Sequence, residues 1–331
     1  VTGNLKIIVP KGKKELFEKA ENLTFDEVIG VAGRGNNEFL FASEIVQPEF
    51  FKKERKKGGD GYALFISDLH IGSNKFMEKQ FNNFVRWLNL ETNGKQREIT
   101  EACRYLFVVG DIVDGVGVFP GQESELAIKD IYEQYEEAAY LLSQIREDVK
   151  IIMIPGNHDA LRLAEPQPIF DINISKPLYK LKNVLMLSNP STVNIASSEN
   201  FEGYDVLLYH GSSFDYYANN IKDLRLQEAY KKPELFGYYL LQKRHLAPTH
   251  GSTVYLPIEN DPLLIDRVPD VFVSAHIHKK GIGYFKNVLV IASSCWQEKT
   301  AFQEKMGHEP DPCKVPALNL KSGAVRVLDF A

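Results

Sequence analysis

Apolar and polar positions follow two regimes along this chain, with a charged break between them. Over residues 1 to about 50, short apolar segments (Leu5 to Val9, Glu27 to Gly33, Glu38 to Ala42) alternate with Gly- and Asn-containing turns, which predicts a small β-rich module. The run Lys52-Lys53-Glu54-Arg55-Lys56-Lys57-Gly58-Gly59 reads as a linker: a solvated hinge or a strip that attracts a phosphate backbone. Beyond it, strand-length apolar runs alternate with helical periodicity. Ala63 to Ile66, Tyr105 to Val109 and Lys150 to Ile154 read as buried strands. Phe76 to Leu90 places Phe81, Phe84, Val85 and Leu88 on one helical face. A longer helix is expected from about Glu123 to Glu147, carrying Leu126, Ile131, Tyr135, Ala138, Leu142 and Ile145 on one stripe. These elements make a βαβαβ unit, hence an α/β fold with a largely parallel, helix-covered sheet. Val184 to Leu187, Val206 to Tyr209, Val271 to Val273, Val288 to Ile291 and Val325 to Leu328 add strands to the second half. The expected organisation is a module at 1–57 and a main domain at 58–331.

Composition narrows the class. The 331 residues are 44% hydrophobic and 11% aromatic, enough for one large core or two unequal ones. No apolar run approaches the roughly 18 residues that span a bilayer, so no membrane association is expected. Three cysteines without paired spacing fit a reducing compartment, and the expected location is intracellular, cytoplasmic and nucleoid-associated. The chain opens on Val1, which suggests that it begins inside a longer one. A net charge of -5 excludes a wholly basic nucleic-acid coat but not an enzyme that meets nucleic acid through local patches and cations.

The candidate chemistry sits at strand ends. Asp68 and His70 follow the first strand of the main domain, Asp111 the second, and Asn157 with His158 the third, within Pro155-Gly156-Asn157-His158-Asp159. His210 follows Tyr209, and His276 with His278 follows Val273-Ser274-Ala275. Five of the eight histidines stand in such positions, and the ends of parallel strands converge on one crevice. Mixed imidazole and carboxylate donors without sulfur suit Mn, Fe or Zn. Seven side chains over-fill one tetrahedral site, but they serve two divalent ions about 3.5–4 Å apart if one carboxylate bridges, and Asp111 stands centrally.

Asp68-Leu69-His70, Gly110-Asp111, Gly156-Asn157-His158-Asp159, His210-Gly211 and His276-Ile277-His278 match in order the five motifs of the calcineurin-like metallophosphoesterases, which this sequence resembles over roughly residues 60 to 300. That resemblance implies a sandwich of two sheets flanked by helices. It implies one ion held by Asp68, His70, Asp111 and His278, and a second held by Asp111, Asn157, His210 and His276. The ions, Mn first and Fe, Zn or Mg otherwise, would activate a water, with His158 beside the scissile phosphate as general acid or transition-state stabiliser. Asp114 and Asp159 are candidates for orienting the ligands. The family's last motif usually opens with Gly where this chain has Ala275, a mild change. Protein phosphatases of the fold carry an arginine where this chain has Gly115, which favours a diester over a monoester.

Arg244-His245-Leu246-Ala247-Pro248-Thr249, Asp266-Arg267-Val268-Pro269-Asp270 and the module ending in Phe41-Ala42-Ser43-Glu44-Ile45-Val46-Gln47-Pro48 resemble the B-subunits of replicative DNA polymerases, above all the small-subunit family of the archaeal family-D enzymes. This implies that residues 1–57 are part of an oligonucleotide-binding (OB) barrel whose remainder precedes Val1. It also implies a 3′→5′ proofreading exonuclease acting on single-stranded or primer-terminus DNA, in a heterodimer with a large polymerising subunit. A phosphomonoesterase or small-nucleotide phosphodiesterase, and a non-catalytic scaffold, are the alternatives. His245, His250 and Lys279 are candidates for substrate contact. Tyr216-Tyr217 and Tyr238-Tyr239 read as core, and His308 with Cys295 and Cys313 is too widely spaced for zinc.

Overall fold

The computed structural model describes residues 3–48, 54–91 and 96–331. The N-terminal module holds β1 (Lys6–Ile8), α1 (Lys14–Glu21), β2 (Gly30–Gly35) and β3 (Phe39–Val46), with β3 between a parallel β1 and an antiparallel β2. Leu16, Ala42 and Ile45 form its small core. This is an open three-stranded sheet with one helix, so residues 3–48 do not close a barrel. The helix went unpredicted because its first turns are rich in Lys and Glu, with only Leu16 buried.

The main domain begins with β4 (Tyr62–Ile66), α2 (Glu78–Leu88), α3 (Arg97–Glu101), β5 (Cys103–Val109), α4 (Ile131–Ser143), β6 (Lys150–Ile154) and β7 (Val184–Met186). It continues with β8 (Ser191–Ile195), β9 (Tyr204–Leu208), α5 (Phe214–Asn220), α6 (Lys222–Leu226), α7 (Glu234–Lys243), β10 (Val271–Ser274), β11 (Gly281–Phe285), β12 (Val288–Ala292), α8 (Ala301–Met306), β13 (Lys314–Asn319) and β14 (Val325–Asp329). One sheet runs β14-β13-β4-β5-β6-β7, parallel from β4 to β7. The other runs β11-β12-β10-β9-β8, parallel where β9, β10 and β12 pair.

Strand alternation divides each strand between two cores. Phe65, Phe107, Ile152, Val206, Val273 and Ile291 fill the space between the sheets, where Phe65 and Phe107 stack with centroids 5.0 Å apart. Leu64, Ile66, Val108 and Met153 face outward onto Phe81, Phe84 and Leu88 of α2 and Tyr135, Ala138 and Leu142 of α4. Leu207, Phe272 and Val290 face the opposite way onto Phe214, Tyr217, Phe236 and Leu240 of α5 and α7. Burial on both faces is why these strands read as continuous apolar runs rather than alternating ones.

The expected helix from Glu123 to Glu147 is shorter than its pattern. Asp130 caps α4 by accepting from the N–H groups of Tyr132 and Glu133, and residues before it are drawn elsewhere, since Ala127 and Ile128 both donate to the Gly72 carbonyl. Leu126 is buried, but from a loop. The charged run is not a solvated hinge at its C-terminal end. Lys56 pairs with Glu202 and Asp270, each at 2.8 Å, and Arg55 lies 3.7 Å over the Tyr284 ring, which fixes this stretch to the second sheet. Lys52 and Lys53 lie outside the described residues. Among the described residues no helix is long and apolar enough to cross a membrane.

Candidate metal centre

The sequence-predicted ligands come together at the C-terminal ends of β4, β5, β6, β9 and β10, where the chain turns sharply. Asp68, His70, Asp111, His276 and His278 all have φ between +48° and +71°, a left-handed conformation that side-chain-bearing residues seldom adopt. Two glycines make the crowding possible. A Cβ on Gly110 would stand 2.2 Å from His210 Nδ1, and one on Gly156 would stand 2.2 Å from Asp111 Oδ1. The Gly-Asp and Gly-Asn-His-Asp motifs therefore pair each functional side chain with a neighbour that has none. Ala275 is buried, donates its N–H to the His210 carbonyl and is not left-handed, so its methyl group is tolerated.

Asp68 and His210 are fully buried, with Asp111, His70 and His278 nearly so. Asp111 Oδ2 lies 3.3 Å from His210 Nε2 and 3.9 Å from His70 Nε2, so one carboxylate faces two imidazoles from different strand ends. Its Oδ1 accepts the His158 N–H at 2.8 Å. His210 Nε2 is 3.0 Å from Asn157 Oδ1, His70 Nε2 is 3.1 Å from His278 Nε2, and His278 Nε2 is 3.4 Å from Asp68 Oδ1.

The far side of each ring fixes which nitrogen is free. His210 Nδ1 donates to the Val109 carbonyl at 3.0 Å, and His70 Nδ1 to Asp114 Oδ1 at 2.9 Å. His158 Nδ1 donates to the Asp114 carbonyl at 2.8 Å, and His276 Nε2 to Asp215 Oδ2 at 3.0 Å. Each of these four rings is left with one nitrogen available. Asp114 is held in turn by the side-chain amides of Gln122 and Gln297. Asp159 accepts from the N–H groups of Ile112, Val113 and Gly156, tying the loop after β5 to the loop after β6.

Burial opposes ionisation of Asp111, yet His210, His158 and His70 hold it well below the usual carboxylate range. Burial would lower His210, but Asp111 facing it pushes it up to about 9. Burial, with Asp111 adding to it, raises Asp159 to about 7. Burial lowers His158.

These residues fit a divalent cation. Asp68 Oδ1 is buried and accepts no hydrogen bond, while His70 and His278 direct ring nitrogens at each other. Carboxylate and imidazole atoms of Asp68, His70 and His278, and of Asp68, Asp111 and His210, lie within 4.8 Å of one another. A cation between them would pair Asp68 Oδ1 and accept the facing nitrogens of His70 and His278. His276 stands at the margin, its ring centroid 5.3 Å from that of His210.

The ligands open into a cleft of about 280 Å³ lined also by His158, Phe119, Asp215, Thr300, Phe302 and Gln303. Gly115 is buried behind two residues of that lining, at φ +75°, where a Cβ would stand 2.4 Å from the His158 carbonyl oxygen and 2.7 Å from Val118. No arginine fits there without moving that loop. His245 and His250, expected near substrate, line a separate groove instead. His245 is bonded to Asp261 at 2.8 Å and His250 to Tyr255 at 2.8 Å, which spends both rings on bracing loops. Lys279 donates to the Glu309 carbonyl and does not line the cleft. All three cysteines are buried and free, and Tyr217 and Tyr239 belong to the core as expected.

Sequence reasoning missed Asp215, which orients His276, and Gln303, whose side-chain amide lies 2.8 Å from His278 Nδ1. Asp215 follows His210-Gly211 closely enough to be suspected. Nothing in the sequence ties Gln303 to the site.

Residues 62–280 match the sequence profile of the calcineurin-like phosphoesterases. The chain is 42% identical over 332 residues to the DNA polymerase II small subunit of Methanothermobacter thermautotrophicus, with all of this chain and 66% of that one covered. It is 44% identical to the protein of the same name from Archaeoglobus fulgidus (90% and 59% covered) and 37% identical to that of Pyrococcus abyssi (100% and 53% covered). The chain thus spans between about half and two thirds of the length of these relatives.

Proposed function

This chain belongs to the calcineurin-like phosphoesterase family, and from that membership we propose that it is a metal-dependent DNA phosphodiesterase, a 3′→5′ proofreading exonuclease that works beside a large polymerising subunit inside the cell. The observation that carries the reading is the buried Asp111 carboxylate, faced by His210 at 3.3 Å and His70 at 3.9 Å. Only a carboxylate so shared can serve two cations. Asp68, His70, Asp111 and His278 would hold one, and Asp111, Asn157, His210 and His276 the other. Bound divalent ions, Mn among the candidates, supply Lewis acidity toward the phosphoryl oxygens and a nucleophilic water near neutral pH.

The chain's own groups do the rest. His158, with Nδ1 committed to the Asp114 carbonyl, presents Nε2 to the cleft, and as the imidazolium, with a second proton taken up on Nε2 from solvent, it can pass that proton to the departing 3′ oxygen. Gly115 supports a diester substrate, because the place where phosphatases of the fold carry an arginine has no room here for a side chain beside the His158 carbonyl. The names of the relatives support DNA as the substrate and a polymerase as the setting. The small N-terminal sheet would belong to an OB-type module beside the phosphoesterase domain.

The test incubates the protein with 5′-labelled single-stranded DNA and Mn, beside a chromogenic phosphomonoester, with Asp111→Ala and His158→Ala as controls. A ladder shortening stepwise from the 3′ end, lost in both variants, is expected. Turnover of the monoester alone, or silence with both substrates, would overturn the reading.

A further inference from the structure

The mouth of the cleft carries two aromatic rings for which the metal chemistry has no use. Phe119 follows the loop after β5, and Phe302 belongs to α8, nearly two hundred positions later. Their planes are within 28° of each other and their centroids 6.4 Å apart. Phe119 also stands 6.4 Å from the His158 ring, edge-on at 64°, so the pair reaches the side chain that meets the departing oxygen. Phe302 is 54% exposed, and neighbouring Val118 is 38% exposed on the same lining. Apolar groups gathered at the mouth of a polar cleft mark a binding surface in a way that singly exposed ones do not.

Charge points the same way. Among the described residues that line the cleft none is Lys or Arg, whereas Glu125 and Asp215 are present. The cleft therefore has no lysine or arginine with which to hold a polyanion. Flat, apolar faces are what it offers, and every nucleobase has a flat π-face that stacks without regard to sequence.

We infer that Phe119 and Phe302 form a nucleobase subsite, stacking on a base of one of the two nucleotides that flank the scissile phosphate. This rests on the DNA reading above and deepens it: an unpaired end can turn a base out to meet the rings at little cost, whereas a paired end must first be unpaired and unstacked. A terminus loosened by a mismatch would then be engaged more readily than a paired one.

The test uses the full chain and three single-stranded oligonucleotides: one intact, one abasic at the 3′-terminal position and one abasic at the penultimate position. Affinity is read by fluorescence anisotropy without added metal, and kcat/KM with Mn. The protein should bind the intact strand about tenfold more tightly than one of the abasic strands. Phe119→Ala and Phe302→Ala should reduce that preference to within about twofold, and Phe119→Trp should keep it. Phe119→Leu and Phe302→Leu, apolar but non-stacking, repeat the measurement if the alanine variants fold poorly by circular dichroism. Equal binding of all three strands, or a preference that survives the alanine or leucine variants, overturns the subsite. Degradation without the preference sinks the subsite and leaves the exonuclease standing. The preference without degradation does the reverse, and no DNA binding at all overturns both.

Discussion

His276 Nε2 lies 3.0 Å from Asp215 Oδ2, joining the strand end after β10 to the first turn of α5. Tyr230 donates to the other oxygen of that carboxylate at 2.8 Å, so Asp215 is itself held in place. The contact fixes the proton on Nε2 and leaves Nδ1 as the free nitrogen. Asp215→Ala removes both the orientation and the added basicity. It should weaken Mn binding about 10–100-fold with little change in folding, because Asp215 is partly exposed. Asp215→Asn keeps an acceptor and should recover part of the loss. Calorimetric Mn titration of the three proteins checks this, and equal affinities in all of them would show that Asp215 merely decorates the surface.

His158 meets Asp111 through its backbone N–H, while its ring packs edge-on against His70 with centroids 4.6 Å apart and spends Nδ1 on the Asp114 carbonyl. His158→Ala preserves the backbone hydrogen bond and removes only the imidazole. Mn affinity should hold within a factor of two or so, while kcat should fall about 10²–10⁴-fold, the range for a lost general acid. A matching fall in metal affinity would mean that the ring is a ligand after all.

Gly110 and Gly156 face the cluster where a methyl group would collide with His210 and Asp111 respectively. Gly110 is in addition left-handed at φ +86°. Gly110→Ala and Gly156→Ala should each cost about 1–3 kcal/mol of stability, the usual price of overpacking. They should abolish the rise in Tm that Mn gives a protein able to bind it. Ala275→Gly, at a position with no such collision, should cost about 1 kcal/mol for its buried methyl and added chain freedom but leave the Mn-induced rise intact. Differential scanning calorimetry with and without Mn distinguishes the cases.

Much of this fold is legible because its strands are buried on both faces and so appear as uninterrupted apolar runs, as in Lys150 to Ile154 and Val288 to Ile291. Strands that break that rule were hidden. β8 is polar at alternate positions, β11 contains two glycines, and β13 contains Pro316. The helix before β6 was over-extended because Leu126 continues its stripe, although Gly72 captures the backbone there. The ligands were legible from their place after strands. Their left-handed backbones were not, since nothing in an Asp or His residue type calls for a positive φ. Asp215, Gln297 and Gln303 reach the site from other elements, and spacing along a chain carries no signal for such contacts.

Glu165 is fully buried between Tyr209 and Asn189, one layer behind His210, whose N–H the Asn189 side chain accepts. Burial pushes its carboxyl up to about 7, against the hydrogen bonds that favour the charge. Because its folded pKa lies above the unfolded value of 4.5, its contribution to stability is fully present below pH 4.5 and is lost as pH rises through about 7. Glu165→Gln keeps an acceptor for Tyr209 and never ionises. The variant should therefore match the wild type near pH 4.5 and exceed it increasingly up to pH 7, by at most about 3 kcal/mol at ~1.4 kcal/mol per pH unit. Above pH 7.5 the gap should widen no further. Urea titrations of both proteins across pH 4.5–8 measure the difference, and groups common to the two cancel. A gap that is flat across this range, or that closes as pH rises, would mean that Glu165 is carried as a stabilised carboxylate and that its burial is compensated in full.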